Sequence, residues 1–159
     1  MTRFGRCGLA VLLGTTWLTA SCSSPAGPSQ SLAVGAAAQV EDGTLANETT
    51  FVVRDAATLR TVWAQIYAGR TAPAPPAVDF TRQMLVIVAM GQQRSSGFSV
   101  RIETATRDRR EIVVHVTIRR PGDTCVTLPT ITGPVAVATL PRSDLPVRFE
   151  FTRTTTSCR

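Results

Sequence analysis

The chain has 159 residues, 43% of them hydrophobic, with 17 basic residues against 11 acidic ones and a single histidine. That length supports one domain with a real core, and one histidine beside four cysteines leaves no ligand set at zinc spacing. Every basic residue is arginine, and the arginines are scattered through strand and turn patterns without interleaved aromatics, which argues for a solvated surface and against nucleic acid as a partner.

Arg3 and Arg6 precede a short apolar stretch, Leu9 to Leu18, which reads as a signal peptide over residues 1–21. The stretch is shorter than the roughly 20 apolar residues that a membrane-spanning helix needs. Leu18-Thr19-Ala20-Ser21-Cys22 resembles the lipobox of bacterial lipoproteins, in which cleavage precedes a lipidated cysteine, here Cys22. The usual leucine three places before the cysteine is replaced by Thr19, so plain secretion after cleavage at Ala20 stands as the alternative. Removal of residues 1–21 leaves fifteen arginines against eleven acids, a net charge of +4. Residues 22–47, rich in Ser, Pro, Gly and Ala, read as a lipidated flexible tether. The domain proper is placed at residues 48–159.

Thr49 to Arg54 reads as the first strand. Asp55 is a helix N-cap, and Leu59, Val62, Trp63 and Ile66 form one apolar stripe on a helix over residues 56–68, with Arg60, Thr61 and Gln65 facing water. Trp63 is read as a core anchor. The proline-rich run Thr71 to Pro76 is a stiff connector. Residues 78–118 read as a three-stranded meander at the centre of the fold. Met84 to Met90 is uninterruptedly apolar, which fits a strand covered on both faces. In the next strand Phe98, Val100, Ile102 and Thr104 alternate with Ser99, Arg101, Glu103 and Ala105. In the third, Ile112, Val114, Val116 and Ile118 alternate with Val113, His115, Thr117 and Arg119. Pro121-Gly122 marks a turn, Val135 to Leu140 a further strand, and Val147, Phe149 and Phe151 the inward side of the last. The fold class expected is α+β: one antiparallel β-sheet of about five to six strands with one helix packed on a face.

With Cys7 in the signal peptide and Cys22 lipidated, Cys125 and Cys158 remain as a pair in an oxidising compartment, where a disulfide is expected. An antiparallel return of the last strand would bring them together.

The order of these features resembles the C-terminal domain of the protease complex subunit PrcB family, over roughly residues 48–152. The helix with Trp63, the proline-rich connector, Val78-Asp79-Phe80 with its apolar strand ending in Gly91, and Ser96-Gly97-Phe98-Ser99-Val100 carry the resemblance. The family more often has Thr or Ser and then Gly-Gly-Tyr where this chain has Ser95-Ser96-Gly97-Phe98. The resemblance implies an exported, often lipid-anchored, non-catalytic partner of another exported protein, a surface protease in the naming instance, with the domain facing the periplasm or exterior of a bacterial envelope.

The donor-rich loop Gln92, Gln93, Arg94, Ser95, Ser96, Gly97 and Phe98 is the candidate partner-binding segment, with an ordinary solvated loop as its alternative. No cofactor, metal or catalytic residue is expected. A hydrolase would have to use Ser95 or Ser96 as nucleophile with His115 as base, and neither serine sits in a nucleophile elbow. The second functional class is a structural envelope protein whose arginines bind anionic glycan or lipid head groups.

Overall fold

The computed structural model describes residues 29–158. The expected signal peptide, Cys7 and the expected lipidation site at Cys22 lie outside them. In chain order the elements are β1 (Gln30–Leu32), β2 (Gly35–Val40), β3 (Thr49–Val53), α1 (Ala56–Ile66), β4 (Gln83–Ala89), β5 (Ser99–Arg107), β6 (Ile112–Pro121), β7 (Val135–Pro141) and β8 (Val147–Thr156).

The strands form two four-stranded sheets, ordered β1-β5-β6-β8 and β2-β7-β4-β3, so the single sheet expected from the sequence is replaced by a pair. They face one another across a core to which both contribute: Met84, Val86, Val88, Ala136, Ala138 and Leu140 from one, and Val100, Ala105, Ile112, Val114, Val116 and Ile118 from the other. Phe149 and Phe151 of β8 pack against the same core.

The apolar run Met84 to Met90 is buried throughout, as a strand with two dry faces requires. Its even-numbered side chains enter the inter-sheet core, and Leu85, Ile87 and Ala89 lie under α1 with Leu59, Val62, Trp63 and Ile66. The helix therefore covers the outer face of one sheet only. Asp55 is its N-cap: Thr58 N donates to Oδ1 at 2.8 Å and Thr58 Oγ1 donates to Oδ2 at 2.7 Å. Those bonds hold the Asp55 carboxyl below its ordinary value. The helix stops at Ile66, two residues short of the sequence reading. Trp63, 5% exposed, donates its indole N–H to Pro73 O at 2.8 Å, so the proline-rich connector satisfies the one polar atom of the core anchor.

Three other sequence readings are corrected. The tether assigned to residues 22–47 contains β1 and β2, so the folded domain begins by Gln30 and not at 48. Alanines that look like linker are tolerated here because β2 pairs along β7, from Gly35 opposite Thr139 to Val40 opposite Val135. The meander is broken: β5 and β6 form the expected hairpin, but β4 belongs to the other sheet. Antiparallel pairing also fails at one place, since β8 runs parallel to β6 from Ile112 opposite Val147 to Pro121 opposite Thr156. This parallel pairing puts both strand ends together and makes the disulfide. The Cα atoms of Cys125 and Cys158 are 4.8 Å apart and their sulfurs are bonded.

Within β5 the alternation slips once. A bulge between Ile102 and Thr104 leaves Thr104 exposed and turns Ala105, read as outward, into the core.

Candidate functional site

One end of the sandwich gathers most of the chemistry that the strands do not absorb. There the loop from Met90 to Phe98, between β4 and β5, lies against the loop from Gly122 to Pro134, between β6 and β7. Gln93 N donates to Thr132 O at 2.8 Å and Thr132 N returns a bond to Gln93 O at 3.0 Å. Ser96 N donates to Leu128 O at 3.0 Å, and Leu128 N donates to Ser96 Oγ at 2.9 Å. Thr132 Oγ1 donates to Ser95 O at 3.1 Å.

Of the predicted partner-binding loop, then, Gln93, Ser95 and Ser96 are committed to the neighbouring loop. Gln92 and Arg94 are exposed and Phe98 is half-buried against the inter-sheet core. Gly91 and Gly97 are required by the backbone. Both have positive φ, 74° and 93°, and a side chain on Gly91 would meet the backbone of Asn47 at 2.6 Å. The serines and the histidine do not meet. Ser96 is tied to Leu128 beyond the end of β6, whereas His115 sits six residues before that end, about 20 Å away along the strand. His115 Nδ1 lies 3.2 Å from Glu150 Oε2, and Arg148, bonded to Glu150 and Glu111, draws the Glu150 carboxyl down.

The second loop carries the feature that sequence reasoning missed. Val126 is 101% exposed, and Leu128 and Ile131 are each 67% exposed; they are the large apolar side chains left in water among the described residues. The signal was present as Val126-Thr-Leu128-Pro-Thr-Ile131, aliphatic residues in a run whose proline and threonines prevent a packed strand.

A second feature lies beside β5, next to this end. The short β1 pairs with β5 only over Ala105 to Arg107, so Ser99 to Thr104 have no strand on that side. The inter-sheet space there is bounded by small side chains, Ala36, Ala136 and Ala138, facing Val100 and Ile102, and a cleft of about 540 Å³ remains, with Gln39, Glu41, Arg101 and Glu103 among its lining residues. Gln39 Nε2 already reaches in and donates to Val100 O at 3.2 Å. The geometry offers a strip of backbone with no neighbouring strand, backed by an apolar slot, which fits an extended chain.

The fold and these features define a two-sheet α+β domain with one helical cover and one notched edge. The family model described as PrcB C-terminal matches residues 84–141, from β4 through β7, so the resemblance read from the sequence holds over this segment. No curated protein and no solved structure matches the chain.

Proposed function

We propose that this is the non-catalytic, protein-binding domain of an exported lipoprotein that serves as a subunit of a protease complex, and that it takes an extended segment of its partner as an added strand beside β5. The single observation that carries the reading is the notch. Ser99 to Thr104 present backbone with no strand on that side, Val100 O being met only by the Gln39 side chain, in front of a slot lined by alanines, so main-chain hydrogen bonds supply affinity and small or aliphatic side chains of the partner fill the slot. The match of residues 84–141 to the PrcB C-terminal family supports a protease as the partner. Cys22 in its lipobox-like setting supports the membrane anchor, and the cell envelope as location.

The test is site-specific photocrosslinking in intact envelopes. A photoreactive residue at Ala36, on the lip of the slot, should give an adduct containing an exported protease, while the same residue at Arg60, on the outer side of α1, should give none. Equal adducts at both positions, or none at Ala36, would remove the notch as the docking site. The anchor is tested separately by Cys22→Ser, which should abolish partitioning into detergent while leaving the unfolding midpoint unchanged.

A further inference from the structure

The exposed aliphatic side chains of the β6–β7 loop are not used by the notch and need their own account. They are not the product of a frayed segment. Cys125 is bridged to Cys158, Leu128 is held by bonds in both directions with Ser96, Thr132 by bonds in both directions with Gln93, and Gly133 N donates to Glu41 O at 2.8 Å. The loop backbone is fixed at four points, one of them Leu128 itself, while the side chains of Val126, Leu128 and Ile131 protrude. Their display therefore costs the bound state little further ordering.

Charge surrounds them. Across residues 92–97 and 119–133 the ionisable side chains are Arg94, Arg119, Arg120 and Asp123, all exposed, and none of these arginines lies within ion-pair distance of a carboxylate among the described residues; Glu41 and Asp42 lie beside Gly133, and Asp42 is paired with Arg70. Aliphatic tips on a loop flanked in the chain by arginines without carboxylate partners among the described residues match the two layers of an anionic lipid surface, acyl chains below and phosphates above. A protein pocket fits the observations less well. Interface anchors are enriched in Trp, Tyr and Arg and depleted in Leu and Val, and these tips stand apart with Thr127 and Thr130 between them. Acyl chains accept separate protrusions of any shape.

We propose that the loop between β6 and β7 docks on an anionic bilayer surface, inserting Val126, Leu128 and Ile131 while Arg94, Arg119 and Arg120 contact lipid phosphates. The proposal is independent of the notch. It gives the domain a second, direct hold on the membrane and a defined orientation, loop end down and β5 edge to the side.

The experiment uses the mature chain, residues 22–159, carrying Cys22→Ser, so that neither an acyl group nor the apolar stretch of residues 9–18 supplies the binding, in co-sedimentation with equimolar phosphatidylglycerol and phosphatidylcholine vesicles. The protein should sediment with these and not with phosphatidylcholine alone, and its binding should weaken with salt as the phosphate contacts are screened. Val126→Ser, Leu128→Ser and Ile131→Ser together should lower partitioning by at least about tenfold, since burial of each aliphatic side chain alone contributes on that order. Because the three positions are exposed, the thermal midpoint should not move, which separates lost binding from lost fold. Val126→Trp should raise partitioning. Failure of the starting protein to sediment at low salt, or equal sedimentation of the triple serine variant, would overturn the proposal. So would loss of the Ala36 photoadduct in that variant with vesicle binding unchanged, which would assign the tips to a protein.

Discussion

The two sheets answer the same problem differently. The sheet of β2, β7, β4 and β3 is dry on both sides, one against the inter-sheet core and one beneath α1; of its central strands β4 is apolar without a break from Met84 to Ala89 and β7 is interrupted only by Thr139 before Leu140. The sheet of β1, β5, β6 and β8 is dry on one side only, and its outer face carries Arg101, Thr104, Thr117, Thr152 and the ion cluster of Arg148, Glu150, His115 and Glu111. The lesson is that the helix acts as a lid for one sheet, while the other is held by its neighbours in the plane, by ion pairs at its rim and by a covalent bond at its end.

That contrast can be broken by mutation, and the largest effect should be under the helix. Trp63→Ala removes a ring that packs at 5.2 Å on Tyr67 and orphans Pro73 O, and it should destabilise the protein by about 3 to 5 kcal/mol in chemical denaturation. Thr152→Ala, on the bare face, should change stability by no more than about 0.5 kcal/mol. Comparable losses from the two would mean that the outer faces do not differ as described.

Next in size is the covalent end. Replacing Cys125 and Cys158 together by Ala should cost about 3 to 4 kcal/mol on the chain-entropy account of a loop of this length, with the sheets retained in circular dichroism. Free-thiol titration of the unfolded, unreduced mature protein should find neither cysteine. Two reactive thiols would cancel the bridge and the reading of an oxidising compartment with it.

The smallest effect belongs to the cap of the lid. Asp55→Ala should lower Tm by about 3 °C at neutral pH. Its carboxyl is lowered in the folded state by the Thr58 bonds, so its contribution is present above the ordinary carboxylate range and is lost as pH falls through the folded value. The acid-induced drop in Tm should therefore be shallower in the alanine variant. An unchanged acid limb would detach the cap from the pH response.

The distinction between dry and half-wet strands was legible in the sequence, because an unbroken apolar run and an alternating one differ at every residue; so were the cap, the stripe on α1, the β5–β6 hairpin and the cysteine pair. What could not be read was which strands are neighbours. Alternation reports the face a residue occupies and carries no record of the strand beside it, so chain order alone suggests that β4 pairs with β5 and that β8 is antiparallel, and neither holds. The β2 run Gly35-Ala-Ala-Ala-Gln39 looked like linker because it lacks the bulky side chains that mark strands. Those same small side chains leave the slot beside β5, so the missed strand and the missed site share one cause. The loop of Gln92 to Phe98 stands out in the sequence for its donors, but Gln93, Ser95 and Ser96 serve the neighbouring loop, a pairing that composition does not record.

The ends of the folded chain differ in how they would carry mechanical load. A pull on the N-terminal side acts on β1, whose three residue pairs with β5 can open one after another like a zip, at low force. A pull on the C-terminal side reaches Cys158 and passes through the bridge to Cys125, bypassing β8. From there it runs back through the turn at Pro121 and Gly122 into β6, which is flanked by β5 and β8 and would have to slide against both at once, while β7 lies inside the loop that the bridge closes. The domain is compliant at one attachment and stiff at the other, so tension from the N-terminal side would first lengthen the link at β1 and leave the slot, the clamped loops and the core in register.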